Sequence, residues 1–211
     1  MARRESLEAV AAEIRACRIC VEAPAGAPLP HAPRPVLRVS ATARIAVCGQ
    51  APGTRVHASG VPFSDPSGDR LRAWMGVTEA EFYDAARIAI IPMGFCFPGL
   101  DAKGGDLPPR RECAPAWRAR LLASMPEIAL FVLVGGYAQR WHLGDGRAAG
   151  SAARSVTDTV AAWREIANRR DGRRMLPLPH PSWRNNGWIA AHPFFEAELV
   201  PVLQREVRQL L

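Results

Sequence analysis

A chain of 211 residues, 48% of them hydrophobic, is long enough to bury one good core and is read as one domain over 1–211. No apolar run approaches the roughly 20 residues that cross a bilayer, and the charged start MARRESLEAV has no apolar leader segment. The expectation is therefore a cytosolic, cytoplasmic protein with no membrane partner. A net charge of +7, in which 26 of the 27 basic residues are arginine, permits a polyanion partner because the guanidinium fork suits phosphate. A coding bias that also enriches alanine, glycine and proline gives the same composition, and charge alone sets no specificity.

Taken in chain order, Leu7, Val10, Ala11 and Ile14 recur at helical spacing and predict an amphipathic helix over 5–16 that leads into CRIC at 17–20. Residues 21–40, rich in proline and alanine, read as an irregular ordered connection. Four short apolar runs follow: RIAVCG (44–49), RIAIIPM (87–93), ALFVLVGG (129–136) and RRMLPLP (173–179). Helix-like stretches near 67–86, 110–124, 136–142 and 155–169 separate them. Such alternation predicts an α/β fold, a three-layer α/β/α sandwich around a central four-stranded parallel sheet. The tail HPFFEAELVPVLQREVRQLL places Phe195, Leu199, Val202, Leu203, Val207 and Leu210 at threes and fours. It reads as a closing helix with Pro193 at its first position and a kink at Pro201.

In a parallel sheet, ligands bind beyond the carboxyl ends of the strands. Those ends here are GQAPG, MGFCFPG, GGY and PHPSWRNNG, so the chain's unusual residues gather on one rim. Gly49 and Gly53 allow a sharp turn and close approach of the backbone. Gln50 adds a donor and an acceptor, and Phe63 a flat apolar face. On these grounds the stretch 47–71 is a pocket for a planar ligand, or a strand-to-helix turn with Phe63 as a core aromatic. His180, between Pro179 and Pro181, is a preorganised donor or a histidine bonded to a backbone carbonyl.

The set GQAPG, then GVPF (60–63), then HPS (180–182) resembles the uracil-DNA glycosylase superfamily, whose cluster-bearing branch carries a Gly-Glu-Ala-Pro-Gly turn followed by Gly-x-Pro-Phe. The resemblance runs from CRIC to the closing helix. It implies a uracil-DNA glycosylase-like fold and a monofunctional hydrolase that releases uracil from DNA in base excision repair. Its partner would be uracil-containing DNA, single- or double-stranded, met by a monomer. Such an enzyme extrudes a base, pockets it and stabilises the departing anion. By the resemblance, Phe63 stacks on the base and Gly49, Gln50, Ala51, Pro52 and Gly53 border base and sugar. His180 bonds the uracil O2, and Gln50 positions water or base. Ser182, Arg184 and Asn185 follow in the loop that enters DNA, where Trp183, Arg184 and Trp188 are candidates for stacking or phosphate contact.

Five cysteines (17, 20, 48, 96, 113) in a reducing compartment argue for a metal site plus a spare thiol. Spacing alone leaves zinc and an iron–sulfur cluster both open. The resemblance implies a [4Fe–4S] cluster on Cys17, Cys20, Cys96 and Cys113, holding a basic segment with Lys103, Arg110 and Arg111 against DNA. Cys48, inside the first apolar run, reads as a buried hydrophobe.

The chain departs from the family at three places. Gln50 stands where the cluster-bearing branch has glutamate. Ala51 stands where glycosylases with that glutamine have a water-orienting aspartate, leaving His57, Asp65 and Asp69 as nearby substitutes. The second strand end, IIPMGFCFPG, lacks the asparagine that reads the uracil edge, so backbone groups around Met93–Phe95, or Asn185 or Asn186, would replace it. Two other readings stay open: a non-catalytic iron–sulfur DNA-binding protein on the same fold, and a glycosylase for hypoxanthine or xanthine. A small-molecule hydrolase has no nucleophile-elbow sequence to support it.

Overall fold

The computed structural model describes residues 5–144, 155–169 and 173–211; Met1–Arg4, part of the charged start used in the leader reading, lie outside them. Strands β1 (Ile45–Cys48), β2 (Ile88–Ile90), β3 (Leu130–Val134) and β4 (Arg174–Leu178) form one parallel sheet in the order β2-β1-β3-β4. Parallel neighbours need a crossover rather than a hairpin, and each crossover lays helix on a face. Both faces are thereby buried, which is why LFVLV in β3 is apolar without a break.

The flanking helices are α1 (Leu7–Arg15), α2 (Ile19–Glu22), α3 (Thr54–Ser59), α4 (Pro66–Met75), α5 (Glu79–Tyr83), α6 (Cys113–Ala123), α7 (Gly136–Leu143), α8 (Val156–Ala161), α9 (Trp163–Ala167), α10 (Asn186–Ala191) and α11 (Val200–Leu210). Successive strand residues point to opposite faces. Ile45, Val47, Ile90 and Val132 enter one core with Leu71 and Trp74 of α4, Trp163 of α9 and Leu203 of α11. Ala46, Cys48, Ile91 and Phe131 enter the other with Val10 and Ile14 of α1, Trp117 and Leu121 of α6 and Ala138 of α7. The expected three-layer α/β/α arrangement is the one that forms.

Local chemistry sets the breaks that periodicity blurred. The stretch 67–86 is two helices: Gly76 ends α4 at a left-handed φ of 65°, and Thr78 opens α5 with a reciprocal capping box to Glu81. Pro201 has no N–H to return to the preceding turn. The chain meets this with a wide π turn over Phe195–Leu199 directly before α11, so the expected kink takes the form of a register change. In the 21–40 connection, Arg38 exchanges backbone bonds of 3.0 and 2.8 Å with Ile90 and covers the free edge of β2. No described helix is long and apolar enough to cross a membrane.

One charge lies inside the second core. Arg118, 1% exposed, donates from Nη1 to the carbonyls of Ile91 and Pro92, each at 3.0 Å, and from Nε and Nη2 to His142 Nε2 at 3.0 and 2.8 Å. Burial, reinforced by Arg118 itself, holds the His142 pKa well below the usual imidazole value, so the ring is neutral and accepts. The guanidinium thus pins the two carbonyls at which β2 turns into the rim. Arg118→Met is expected to lower stability by about 3 kcal/mol, from a poorly filled site and stranded carbonyls, read as a lower urea midpoint at unchanged m-value.

Candidate active site

The loop after β1 is held from below by the loop after β2: the Met93 N–H donates to Gly49 O and the Gly94 N–H to Gln50 O, both at 2.9 Å. Gly49 lets Phe63 come close, since a Cβ there would stand a tight 3.2 Å from Phe63 Cζ. Phe63 itself has φ of 54°, the one positive φ at a non-glycine among the described residues. A bulky residue in this region is strained, by about 1–3 kcal/mol, and persists only where its surroundings over-determine it. Here they do. Tyr83 Oη donates to the carbonyls of Pro62 (2.9 Å) and Phe63 (3.1 Å), and Arg72 Nη1 reaches the latter at 3.4 Å. Below, α4 passes so close that a Cβ on Gly68 would stand 1.8 Å from the Phe63 carbonyl oxygen. The Phe63 ring rests edge-on against Phe82, centroids 6.0 Å apart, and its other side faces an open recess.

Val36, Phe63, Ile90 and Pro92 supply apolar walls of that recess, which the GQAPG turn and His180 border at its mouth. It opens into a wider, more polar groove bordered by Arg55, Arg70, Ser182, Trp183 and Arg184. His180 stands where the two meet. Its Nδ1 accepts the Ser182 N–H at 3.2 Å, which leaves the ring proton on Nε2. Burial pushes its pKa down against an upward pull from Asp65, so the imidazole is neutral. Asn185 Nδ2 donates to His180 O at 2.7 Å and fixes the backbone beneath it. A recess with apolar walls, a neutral N–H donor where it meets the groove and arginines along that groove thus lie together on one rim.

The uracil DNA glycosylase superfamily model matches residues 38–204. The chain belongs to that superfamily. It has a DNA glycosylase fold and DNA as its substrate, and the residues that carried the resemblance, GQAPG, Phe63 and His180, converge on one site inside the matched span.

Not every expected site residue of this glycosylase meets that site. Gly49, Gln50, Ala51, Pro52, Gly53, Phe63 and His180 border the recess, while Ser182 and Arg184 border the groove. Met93 does neither: its side chain is packed in the second core and its amide is spent on Gly49. Asn185 is spent on the His180 carbonyl, and Asn186 Oδ1 accepts from Arg70 at 2.7 Å, so neither asparagine faces the recess. Trp188 donates to Thr157 at 2.8 Å and stacks on His192, centroids 4.3 Å apart; it is a packing residue. Trp183, 73% exposed beside Arg184, is the aromatic at the groove. Of the nearby substitutes for the missing aspartate, Asp65 borders both chambers, whereas Asp69 is exposed and paired with Arg72 and His57 packs against His31 and Phe97. Asp106, which also borders both chambers, has no motif to mark it: it lies 41 residues beyond Asp65, in a loop that stands out in sequence for its cysteines and basic residues.

Cys17, Cys20, Cys96 and Cys113 border one narrow, mostly apolar cavity with Ile14 and Trp117. Trp117 Nε1–H donates to Cys17 Sγ at 3.3 Å and the Phe95 N–H to Cys113 Sγ at 3.4 Å. Burial pushes the thiols up, Cys20 to about 11 and Cys96 and Cys113 to about 12. Among the described residues no three Cys, His, Asp or Glu side chains are grouped to hold one metal ion, and Cys17 and Cys20 lie outside the matched span. Cys48, fully buried on β1, is apart from these four. In the expected basic segment, Arg110 borders this cavity and is paired with Glu112 at 2.9 Å.

The clamp on Phe63 is directly testable. Gly68→Ala is expected to cost about 2 kcal/mol through overpacking and to weaken binding of a damaged oligonucleotide, checked by thermal melting and fluorescence anisotropy.

Proposed function

We propose that this glycosylase is monofunctional and releases uracil from DNA, leaving an abasic site. The observation that carries the reading is the tautomer of His180. With Nδ1 occupied by the Ser182 amide, an Nε2–H donor is presented where recess and groove meet, the place a flipped nucleotide's glycosidic bond would occupy. Uracil would enter the recess and stack on Phe63, with its sugar and phosphate in the groove near Arg55, Arg70 and Arg184. As the bond between the sugar C1′ and uracil N1 breaks, negative charge spreads to O2. A fixed neutral donor in a buried site stabilises that charge without proton transfer. Val36, Phe63, Ile90 and Pro92 give the recess apolar walls, which suit a flat, neutral ring.

Monofunctional chemistry is supported by what borders the two chambers. A lyase step through a Schiff base needs an amine nucleophile, and no lysine is among their described lining residues. The chain's one lysine, Lys103, is on the exposed turn that begins at Asp101. Strand scission after alkali of a uracil-bearing oligonucleotide, under single-turnover conditions, tests the reading. His180→Ala is expected to lose about 10²–10³ in rate, the worth of one such donor, and a loss under about threefold would overturn the role.

We extend the proposal to a [4Fe–4S] cluster on Cys17, Cys20, Cys96 and Cys113. The support is four sulfurs around one cavity with N–H donors aimed at two of them, a pattern suited to thiolate ligands. Thiols pushed so high need a bound cation to ionise. When bound, the cluster would supply a cross-link tying the turn between α1 and α2 to the start of α6. Anaerobically purified protein is expected to be brown and to carry about four irons per chain. Colourless protein with stoichiometric zinc would overturn the assignment.

A further inference from the structure

The recess and the groove share six bordering residues: Gln50, Ala51, Asp65, Ser67, Asp106 and His180. With a base in one chamber and its sugar–phosphate in the other, the glycosidic bond lies at this junction, and the attacking water must reach C1′ there. Two of the six are carboxylates, and they are not equivalent. Asp65 Oδ1 accepts from the N–H groups of Ser67 (3.1 Å) and Gly68 (3.2 Å) and from the Ser67 hydroxyl, so Asp65 is the N-cap of α4. The Asp106 carboxylate has no hydrogen-bond or ion-pair partner among the described residues. It lies against the GQAPG turn, where a Cβ on Gly53 would stand 3.1 Å from Asp106 Oδ2.

The backbone carrying Asp106 is ordered. Leu107 N–H donates to Gly99 O at 3.0 Å and Asp101 N–H to Gly105 O at 2.8 Å. The Asp101 carboxylate accepts from the amides of Lys103 and Gly105, both at 2.8 Å. Gln50 Nε2 ties the turn to this loop through Leu107 O at 3.3 Å. Asp106 is exposed to solvent, so its unpaired carboxylate is free to hold a water at the junction.

We propose that Asp106 is the catalytic residue that orients and deprotonates the attacking water, a role that rests on the function proposed above. The C1′–N1 bond breaks and its electron pair stays on the base, where His180 Nε2–H meets the charge. The water oxygen forms the new bond to C1′, one water proton passes to the Asp106 carboxylate and then to solvent, and the released base anion takes a proton from solvent. Burial raises the Asp106 pKa, Asp65 adds to this and Arg184 opposes it, which moves the group toward the range where a general base works well. The other charged or titratable groups around the junction are Arg55, Arg70 and His180.

The test is single-turnover uracil release across the acid-to-neutral range by wild type, Asp106→Asn and Asp65→Asn. Asp106→Asn is expected to lose about 100-fold, the low end for a general base. It should keep the wild-type melting temperature and affinity for the uracil-bearing oligonucleotide. It should also lose the fall in rate that wild type shows on the acid side, where a carboxylate base is protonated. Asp65→Asn is expected instead to melt at lower temperature, because it weakens the cap of α4. Active wild type with Asp106→Asn within about threefold of it, or with the acid-side fall retained, overturns Asp106 alone. Wild type that releases neither uracil nor another deaminated base overturns the proposed function and Asp106 with it.

Discussion

Because β1 pairs in parallel with both β2 and β3, the loops that follow all four strands leave the sheet on the same rim. Each crossover must return over a face before the next strand can begin, so no rim loop is used as a short hairpin and each is free to carry side chains. The glycine turn after β1, the cysteine-bearing loop after β2 and the histidine loop after β4 are neighbours for this reason alone. Gly135, at the end of β3, takes a left-handed φ of 79° that favours glycine, and it lies in ordinary contact distance of His180.

Rigidity at this rim comes from polar groups whose hydrogen bonds are spent inward. Arg118 holds the carbonyls at the end of β2, and the next two amides, of Met93 and Gly94, hold the turn after β1. The Ser182 amide and the Asn185 side chain orient His180, while Tyr83 and Arg72 grip the strained carbonyl of Phe63. None of these groups is left to face a ligand. What does face the junction is therefore a short set: a neutral imidazole, the glutamine at the turn and two carboxylates, one of which caps a helix. Preorganisation of this kind means that little has to reorder when charge develops on a bound base.

The cysteine cavity obeys a similar economy. Two of its sulfurs receive N–H groups from Trp117 and Phe95, and Arg110 is turned inward onto Glu112. The arginines beside the groove are Arg55, Arg70 and Arg184, contributed by α3, α4 and the loop after β4. The surplus of arginine in the composition is partly structural, since Arg38, Arg70, Arg72 and Arg118 act on backbone carbonyls within the fold.

The sequence by itself determined the sheet, the layer order and the convergence of GQAPG, Phe63 and His180, because unbroken apolar runs and strand-end loops follow from local pattern and parallel pairing. It also marked Cys48 off from the other four cysteines, through its place in a strand. Tertiary structure alone decided which of several like residues faces the site. Met93, Asn185 and Arg110 were legible as rim or basic residues, yet packing and hydrogen bonds turned each of them inward. Trp183 and Trp188 are alike in sequence and are separated only by where α10 packs. Asp106 carries no local motif. Its place beside Gly53 depends on how the loop after β2 folds back over the turn after β1, a contact between distant segments that short-range pattern does not encode.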